Sequence, residues 1–294
     1  MTHNNKTLLI TGASGFLGRI ACDYFAADWQ VHGVTFQQSS PTSQIQHHCV
    51  DLTSRHQLQA LFDTIQPDAV LHLAALSKPD ACEEQPEQSQ RINVDTCIDL
   101  AKLCAQANCH LVFTSTDLVF AGDQAPYAET DIPDPINRYG QQKVAAEKAI
   151  SQIHPSATIC RMPLMFGCDS GSGKTFLDQL INHLQRQQPM SLFDDEYRSM
   201  VSSASAMQGL EIGLKHSGEL LHLGGTESIS RYEFGQQVAQ VSGLSTDCLT
   251  PIRSATVATK AARAKDASLL SQRAQQLGYK PESIKQQLQK ILAI

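Results

Sequence analysis

With 294 residues, 41% of them hydrophobic and 18% charged, the chain can bury a substantial core without staples and has the composition of an ordinary globular protein, not a disordered one. The net charge of -6 is spread along the sequence, which excludes a nucleic-acid groove built from clustered Lys and Arg and favours a small-molecule ligand. Nine cysteines, an odd number with no C-x-x-C pair, suggest neither a disulfide framework nor a zinc knuckle and read as reduced, mostly buried thiols.

From the N-terminus, MTHNNK leads straight into the strand-like run TLLIT, without the charged-then-apolar order of a signal peptide. No apolar stretch approaches the roughly 18 to 20 residues that span a bilayer, so a cytoplasmic protein with no membrane partner is expected. Short apolar or β-branched runs then alternate with helical patterns, which predicts βαβ units and a parallel sheet. The predicted strands cover residues 7–11, 31–36, 46–50, 69–73, 110–114 and 157–162, six in all, the full count of a doubly wound sheet. Between them, residues 54–65 place Leu58, Leu61, Phe62 and Ile65 on one helical face, and residues 94–107 place Ile98, Ala101, Cys104 and Ala105 on another.

After Arg161 the alternation stops. Residues 167–175 are rich in Gly and Ser, 176–187 carry a helical pattern, 194–199 are polar, and 231–242 and 281–292 predict two C-terminal helices. The expected fold class is α/β: a doubly wound parallel Rossmann-type sheet with a smaller α/β substrate lobe. Residues 1–166, with about 200–224, would form the dinucleotide-binding domain, and 167–199 with 225–294 the lobe that closes over the sheet's carboxyl edge.

The segment LLITGASGFLG runs from a strand through closely spaced glycines into a helix. A pyrophosphate needs backbone N–H groups at a helix N-terminus and no side chains in the way. Gly12, Gly15 and Gly18 permit the tight turn, the close approach and the helix–strand packing. Ser14, Phe16 and Leu17 complete the predicted cofactor-binding loop. Its spacing is G-x-x-G-x-x-G, because position 13 is Ala, which points to a particular subgroup of dinucleotide-binding proteins. A second glycine-rich stretch ending Gly173-Lys174-Thr175 fails as a P-loop: its first glycine would fall on Cys168, while Gly167 is one residue early.

At the end of the second predicted strand, where an NAD site carries an acidic residue for the ribose hydroxyls, the sequence reads Phe36-Gln37-Gln38. No carboxylate there would repel a 2′-phosphate, and no Arg in that turn would hold one; Arg19, just past the last glycine, is the candidate. NADP(H) is therefore favoured over NAD(H).

Tyr139 and Lys143 are four residues apart, one turn apart on one helical face, and are the only Tyr-x-x-x-Lys pair among six tyrosines. A phenol with a pKa near ~10 is a poor acid or base at neutral pH, and a neighbouring ammonium lowers that value by favouring the phenolate. The Tyr can then protonate a carbonyl oxygen as hydride reaches carbon. The preceding strand ends Phe113-Thr114-Ser115-Thr116-Asp117, which sets hydroxyls at the carboxyl edge of the sheet, where ligands sit. His47, His48 and Cys49 invite a metal reading. Neighbours on a strand point to opposite faces and no further ligand cluster is visible, so no metal is expected. His72, inside an apolar strand, reads as a hydrogen-bonded core histidine.

Taken together, TGASGFLG, Asp51-Leu52, LHLAA at 71–75, Asn93-Val94, STDLVFAG at 115–122, PYAETDIPDPINRYGQQK at 126–143 and HLGGTESISRYEFG at 222–235 make nearly the whole chain resemble the extended short-chain dehydrogenase/reductases. Within them it resembles the dTDP-4-dehydrorhamnose reductase family and its relative, the methionine adenosyltransferase regulatory β subunit. The resemblance implies a catalytic set of Thr116, Tyr139 and Lys143, with Lys143 also holding the nicotinamide ribose. It implies adenine contacts at Asp51 and Leu52, cofactor neighbours at Ala74 and Ala75, and a substrate-facing loop at Arg198 and Ser199. Leu118 and Ala121 stand where the family commonly has Tyr and an acidic residue, which places this chain's differences beside the catalytic Thr.

The expected function is reduction of a keto group on a nucleotide-activated sugar by NAD(P)H, in a protein that forms a homodimer, as family members often do. Two other readings stand beside it: a non-catalytic NADP-binding regulatory subunit, toward which the segments DWQVHGVTF and ICRMPLMFG lean, and a nucleotide-sugar epimerase or dehydratase that recycles its cofactor.

Overall fold

In the computed structural model, which describes residues 6–36, 45–168 and 175–293, the chain divides into two compact units. The first comprises residues 1–116, 137–161 and 210–221, and the second residues 117–136, 162–209 and 222–294.

The first unit begins with β1 (Thr7–Thr11), α1 (Phe16–Phe25), β2 (Gln30–Thr35), β3 (Gln46–Cys49), α2 (Arg55–Ile65) and β4 (Ala69–His72). The short helices α3 (Pro79–Glu84) and α4 (Pro86–Gln90), a π-helical turn (Arg91–Asp95), α5 (Thr96–Ala107) and β5 (His110–Thr116) follow, then α6 (Arg138–Ile153) and β6 (Thr158–Met162). Leu8, Leu9 and Ile10 are wholly buried, as a parallel strand covered on both faces requires. The sheet has strand order β11-β6-β5-β4-β1-β2-β3, with β11 at Leu220–His222. Pairings from β5 across to β3 run parallel, with Leu8 opposite both Val31 and Ala69, and Ala69 opposite His110.

Seven strands, not the six expected, make this sheet. The seventh, Leu-Leu-His, is only three residues long and too short to show a period of two. The fifth strand also runs two residues past its predicted end, to Thr116. Leu58, Leu61 and Phe62 are buried as predicted, but the buried face of α5 is Cys97, Leu100, Ala101 and Cys104, whereas Ile98 is half-buried and Ala105 exposed. The apolar i, i+3, i+4, i+7 set that packs begins one residue earlier than the predicted one. These side chains meet Leu9, Val70, Leu111 and Phe113 in one core.

The second unit contains β7 (Met165–Phe166), α7 (Phe176–Arg186), β8 (Met190–Phe193), β9 (Tyr197–Arg198), β10 (Val201–Ser202), β12 (Ile229–Ser230), α9 (Arg231–Ser242), β13 (Leu249–Ile252), α10 (Gln272–Gln276) and α11 (Ile284–Ile291). Helix α8 (Ser203–Lys215) runs from this unit into residues of the first. Three two-stranded pairs, β10–β7, β12–β9 and β13–β8, accompany a core of Leu177, Leu180, Leu184, Phe234, Val238 and Leu288. Capping boxes at Thr175, Ser230 and Ser283 start α7, α9 and α11, each satisfying otherwise orphaned helix N–H groups.

All nine cysteines are free thiols, and Cys49 and Cys168 are exposed. Among the described residues, no helix is long and apolar enough to cross a membrane, and no group of three His, Cys, Asp or Glu could hold a metal ion.

Candidate functional site

The strand order reverses between β1 and β4, and in sheets of this kind ligands bind at the carboxyl ends of the strands at that switch point. The loop after β1 is shaped for close backbone approach. Gly12 has φ of +71°, and a Cβ there would lie 2.8 Å from the Ala74 nitrogen. At Gly18 a Cβ would come within 2.0 Å of the Gly12 carbonyl oxygen, so both positions exclude any side chain. Gly15 caps α1 with no side-chain hydrogen bond and no acidic residue in the first turn, which leaves the positive end of the helix to an anion. Ser14 and Gly15 are exposed there, and Phe16 and Leu17 half-buried. Arg19 donates from Nη1 to the Ser14 carbonyl at 2.5 Å. Gln37, Gln38, Gly173 and Lys174 lie outside the described residues.

A buried network fixes the loop after β4. Thr11 Oγ1 accepts the Leu73 and Ala74 N–H groups at 3.2 Å each, so its own proton goes to His72 Nδ1, 2.6 Å away. That makes His72 the neutral Nε2–H tautomer, and Nε2 faces Cys97 Sγ at 3.3 Å, whose thiol donates to the Asn93 carbonyl. Burial, with Lys143 nearby, pulls the His72 pKa down to about 3. His72 is thus a core histidine, and Ala74 and Ala75 in this loop, expected from the resemblance to neighbour a cofactor, are half-buried.

Asn93 brackets the same loop from the π-helical turn. It accepts the Leu76 N–H (2.9 Å), donates to the Leu76 carbonyl (3.1 Å) and donates to Gln142 Oε1 (2.9 Å). Gln142 donates in turn to Ser89 Oγ at 2.8 Å. π-helical turns of this kind recur at functional sites. Along the chain Asn93 and Gln142 stand out only as members of motifs, and Ser89 belongs to none, because Gln142 meets them across 49 and 53 residues of sequence. At the end of β3, Asp51 Oδ1 accepts the Thr53 N–H and hydroxyl at 2.9 and 2.7 Å, and Leu52 packs against the core.

Asn137 caps helix α6, its side chain accepting the Gly140 N–H at 2.9 Å, while Glu83 pairs with Arg138 at 3.3 Å. Tyr139, Gln142, Lys143, Ala146, Glu147 and Ile150 form the buried face, the i, i+3, i+4 set of an amphipathic helix. Lys143 is 2% exposed; its Nζ donates to the Thr114 carbonyl at 2.9 Å and stands 4.6 Å from the Phe113 ring centroid and 5.8 Å from that of Tyr139. Burial lowers the Lys143 pKa, opposed by Cys97, Glu147 and Cys82. Glu147, one turn beyond, is itself held by a buried bidentate pair with Arg161 at 2.8 and 3.0 Å. Tyr139 and Thr116 are both buried, Thr116 as the last residue of β5. Thr114 Oγ1 donates to the His72 carbonyl, whereas Ser115 Oγ is buried with no hydrogen-bond partner among the described residues. The structure therefore brings Tyr139 and Lys143 together on one helix face and sets Lys143 against the end of the strand that carries Thr116.

Within the second unit, Arg198 pairs with Asp117 at 3.3 Å and donates to the Tyr197 and Ala264 carbonyls at 2.6 and 3.1 Å. Ser199 is buried and its hydroxyl accepts the Leu269 N–H at 3.0 Å.

A family model described as the RmlD substrate binding domain matches residues 6–294. The chain is 29% identical over 287 residues to methionine adenosyltransferase 2 subunit beta of Bos taurus, covering 93% of this chain and 83% of that protein. It is 27% identical over 241 residues to a probable low-salt glycan biosynthesis reductase of Haloferax volcanii, covering 80% and 79%. Among solved structures, dTDP-4-dehydrorhamnose reductase from Bacillus anthracis, in complex with NADP, superposes with a TM-score of 0.88 at 23% identity, over 98% of this chain and 99% of that one.

Proposed function

The chain belongs to the RmlD substrate-binding-domain family, and from that premise we propose that it is an NAD(P)H-dependent reductase of a keto group on a nucleotide-activated sugar. The observation that carries the reading is Lys143: a buried ammonium beside Tyr139 on one face of α6, hydrogen-bonded to the end of β5. The glycine cradle and the uncapped start of α1 fit a dinucleotide, since a side chain at Gly12 or Gly18 would collide with backbone.

Gly12, Ser14, Gly15, Phe16, Leu17 and Gly18 would hold its phosphates, Asp51 and Leu52 its adenine, Ala74 and Ala75 its middle, and Tyr139 with Lys143 the nicotinamide ribose. When bound, the dinucleotide supplies a hydride. Tyr139 gives its phenolic proton to the substrate's carbonyl oxygen, Lys143 favours the phenolate that remains, and Thr116 donates a hydrogen bond to the same oxygen. Arg198 and Ser199 would contact the sugar nucleotide. NADP(H) is proposed over NAD(H), with Arg19 as partner of the 2′-phosphate. The same reading has the protein in the cytoplasm as a homodimer.

Titration with NADPH and NADH, followed by absorbance assays on a panel of keto sugar nucleotides, tests the proposal. Tight binding with substrate-dependent oxidation is expected, and Tyr139→Phe should abolish turnover; a Phe variant that still turns over refutes the mechanism. The likeness to the bovine subunit across 93% of the chain favours a second reading, a dinucleotide-binding regulatory subunit. Tight binding without oxidation, together with a stoichiometric partner enzyme on purification, would select it. Turnover without net oxidation, by a protein that purifies with dinucleotide bound, would instead indicate an epimerase or dehydratase.

A further inference from the structure

Buried hydroxyls are nearly always hydrogen-bonded, because an unpaired one forfeits its bond to water and receives nothing in exchange. Ser115 departs from this rule. It is 5% exposed, and its Oγ has no partner among the described residues. Its place is not arbitrary: alternation along β5 puts its side chain on the face of Phe113, over whose ring Lys143 Nζ stands, and Nζ is bonded to the carbonyl of Thr114 immediately before it. Thr114, pointing the other way, has its hydroxyl satisfied by the His72 carbonyl, so the strand end can pair its hydroxyls and leaves this one unpaired.

We propose that the Ser115 hydroxyl is a ligand-binding group that hydrogen-bonds the nicotinamide-nucleoside end of the dinucleotide, beside Lys143. This rests on the dinucleotide-binding reading above and adds to it a contact distinct from Thr116. The protein offers this hydroxyl no partner among the described residues, and the dinucleotide supplies one.

Ser115→Ala separates this role from a structural one, because the two predict opposite changes in the free protein. The unliganded variant should melt at the same temperature as wild type or above it, since a buried orphan is removed. Its Kd for NADPH or NADH should rise roughly three- to tenfold, the worth of one net hydrogen bond. Its Kd for ADP and adenosine 2′,5′-bisphosphate, which lack the nicotinamide nucleoside, should not change. A lower melting temperature in the free variant, an unchanged dinucleotide Kd, or an equal loss for the adenine fragments would each overturn the assignment. Wild-type protein that binds neither dinucleotide would overturn the functional reading itself, and this inference with it, before any variant is compared.

Discussion

Acid should weaken this fold through His72, and by an amount that the structure sets. The imidazole is 2% exposed, and its Nδ1 accepts the proton of a Thr11 hydroxyl whose oxygen already serves two backbone N–H groups. Protonating Nδ1 would aim a second donor at an oxygen with no lone pair to spare, in a site that disfavours charge. Burial, with Lys143 nearby, holds the folded pKa at about 3, against 6.5 for an ordinary histidine. The unfolded chain therefore binds the extra proton first. Stability is complete above pH 6.5 and falls as the pH drops from there toward 3. At roughly 1.36 kcal/mol per pH unit, the loss from this one group is about 2 kcal/mol at pH 5 and about 4 kcal/mol at pH 3, a large part of a typical domain's stability. Urea unfolding at pH 7.5 and pH 5.0, on wild type and His72→Asn, isolates the term, because other histidines contribute to both proteins alike. The wild type should lose about 2 kcal/mol more than the variant between the two pH values. Parallel pH dependence in the two proteins would refute the assignment of His72 as an obligately neutral group.

Two other perturbations test the framework behind the candidate site. Arg161→Met strands the Glu147 carboxylate, whose partner guanidinium is 3% exposed, and should cost about 3–5 kcal/mol in urea unfolding. The double change Arg161→Met with Glu147→Leu should recover most of that loss. Gly18→Ala, whose methyl would sit 2.0 Å from the Gly12 carbonyl oxygen, should lower the melting temperature sharply and abolish dinucleotide binding in whatever folded protein remains. A Gly18→Ala protein that melts like wild type would show that the contact between α1 and the loop after β1 yields more easily than its geometry indicates.

Much of the first unit was legible along the chain, because its determinants are local. TLLIT and AVLH are apolar runs whose burial needs only a parallel sheet with both faces covered, and the glycines at 12, 15 and 18 report a backbone approach that tolerates no Cβ whatever surrounds it. The Tyr139–Lys143 pair follows from helical periodicity alone, and the resemblance named Thr116 as their partner. The seventh strand was not legible: Leu220–His222 is a strand because the sheet offers it an edge, and three residues carry no period. The burial of α5 was misplaced by one residue, since which of two overlapping apolar stripes turns inward is decided by the elements it packs against.

What only the tertiary structure decided lies in the pairings between distant residues. Thr11 with His72 is 61 residues apart in sequence, Asn93 with Gln142 49 apart, and Arg198 of β9 pairs with Asp117 just past the end of β5. Hydrogen-bond satisfaction is likewise a property of folded surroundings: Thr114, Ser115 and Thr116 look interchangeable as letters, yet packing gives Thr114 a carbonyl partner and leaves the Ser115 hydroxyl without one among the described residues. Sequence determines where backbone geometry and periodicity must be special, because those constraints act within a few residues. Which buried polar groups meet, and which remain to meet a ligand, depends on distances that exist only once the chain has closed on itself.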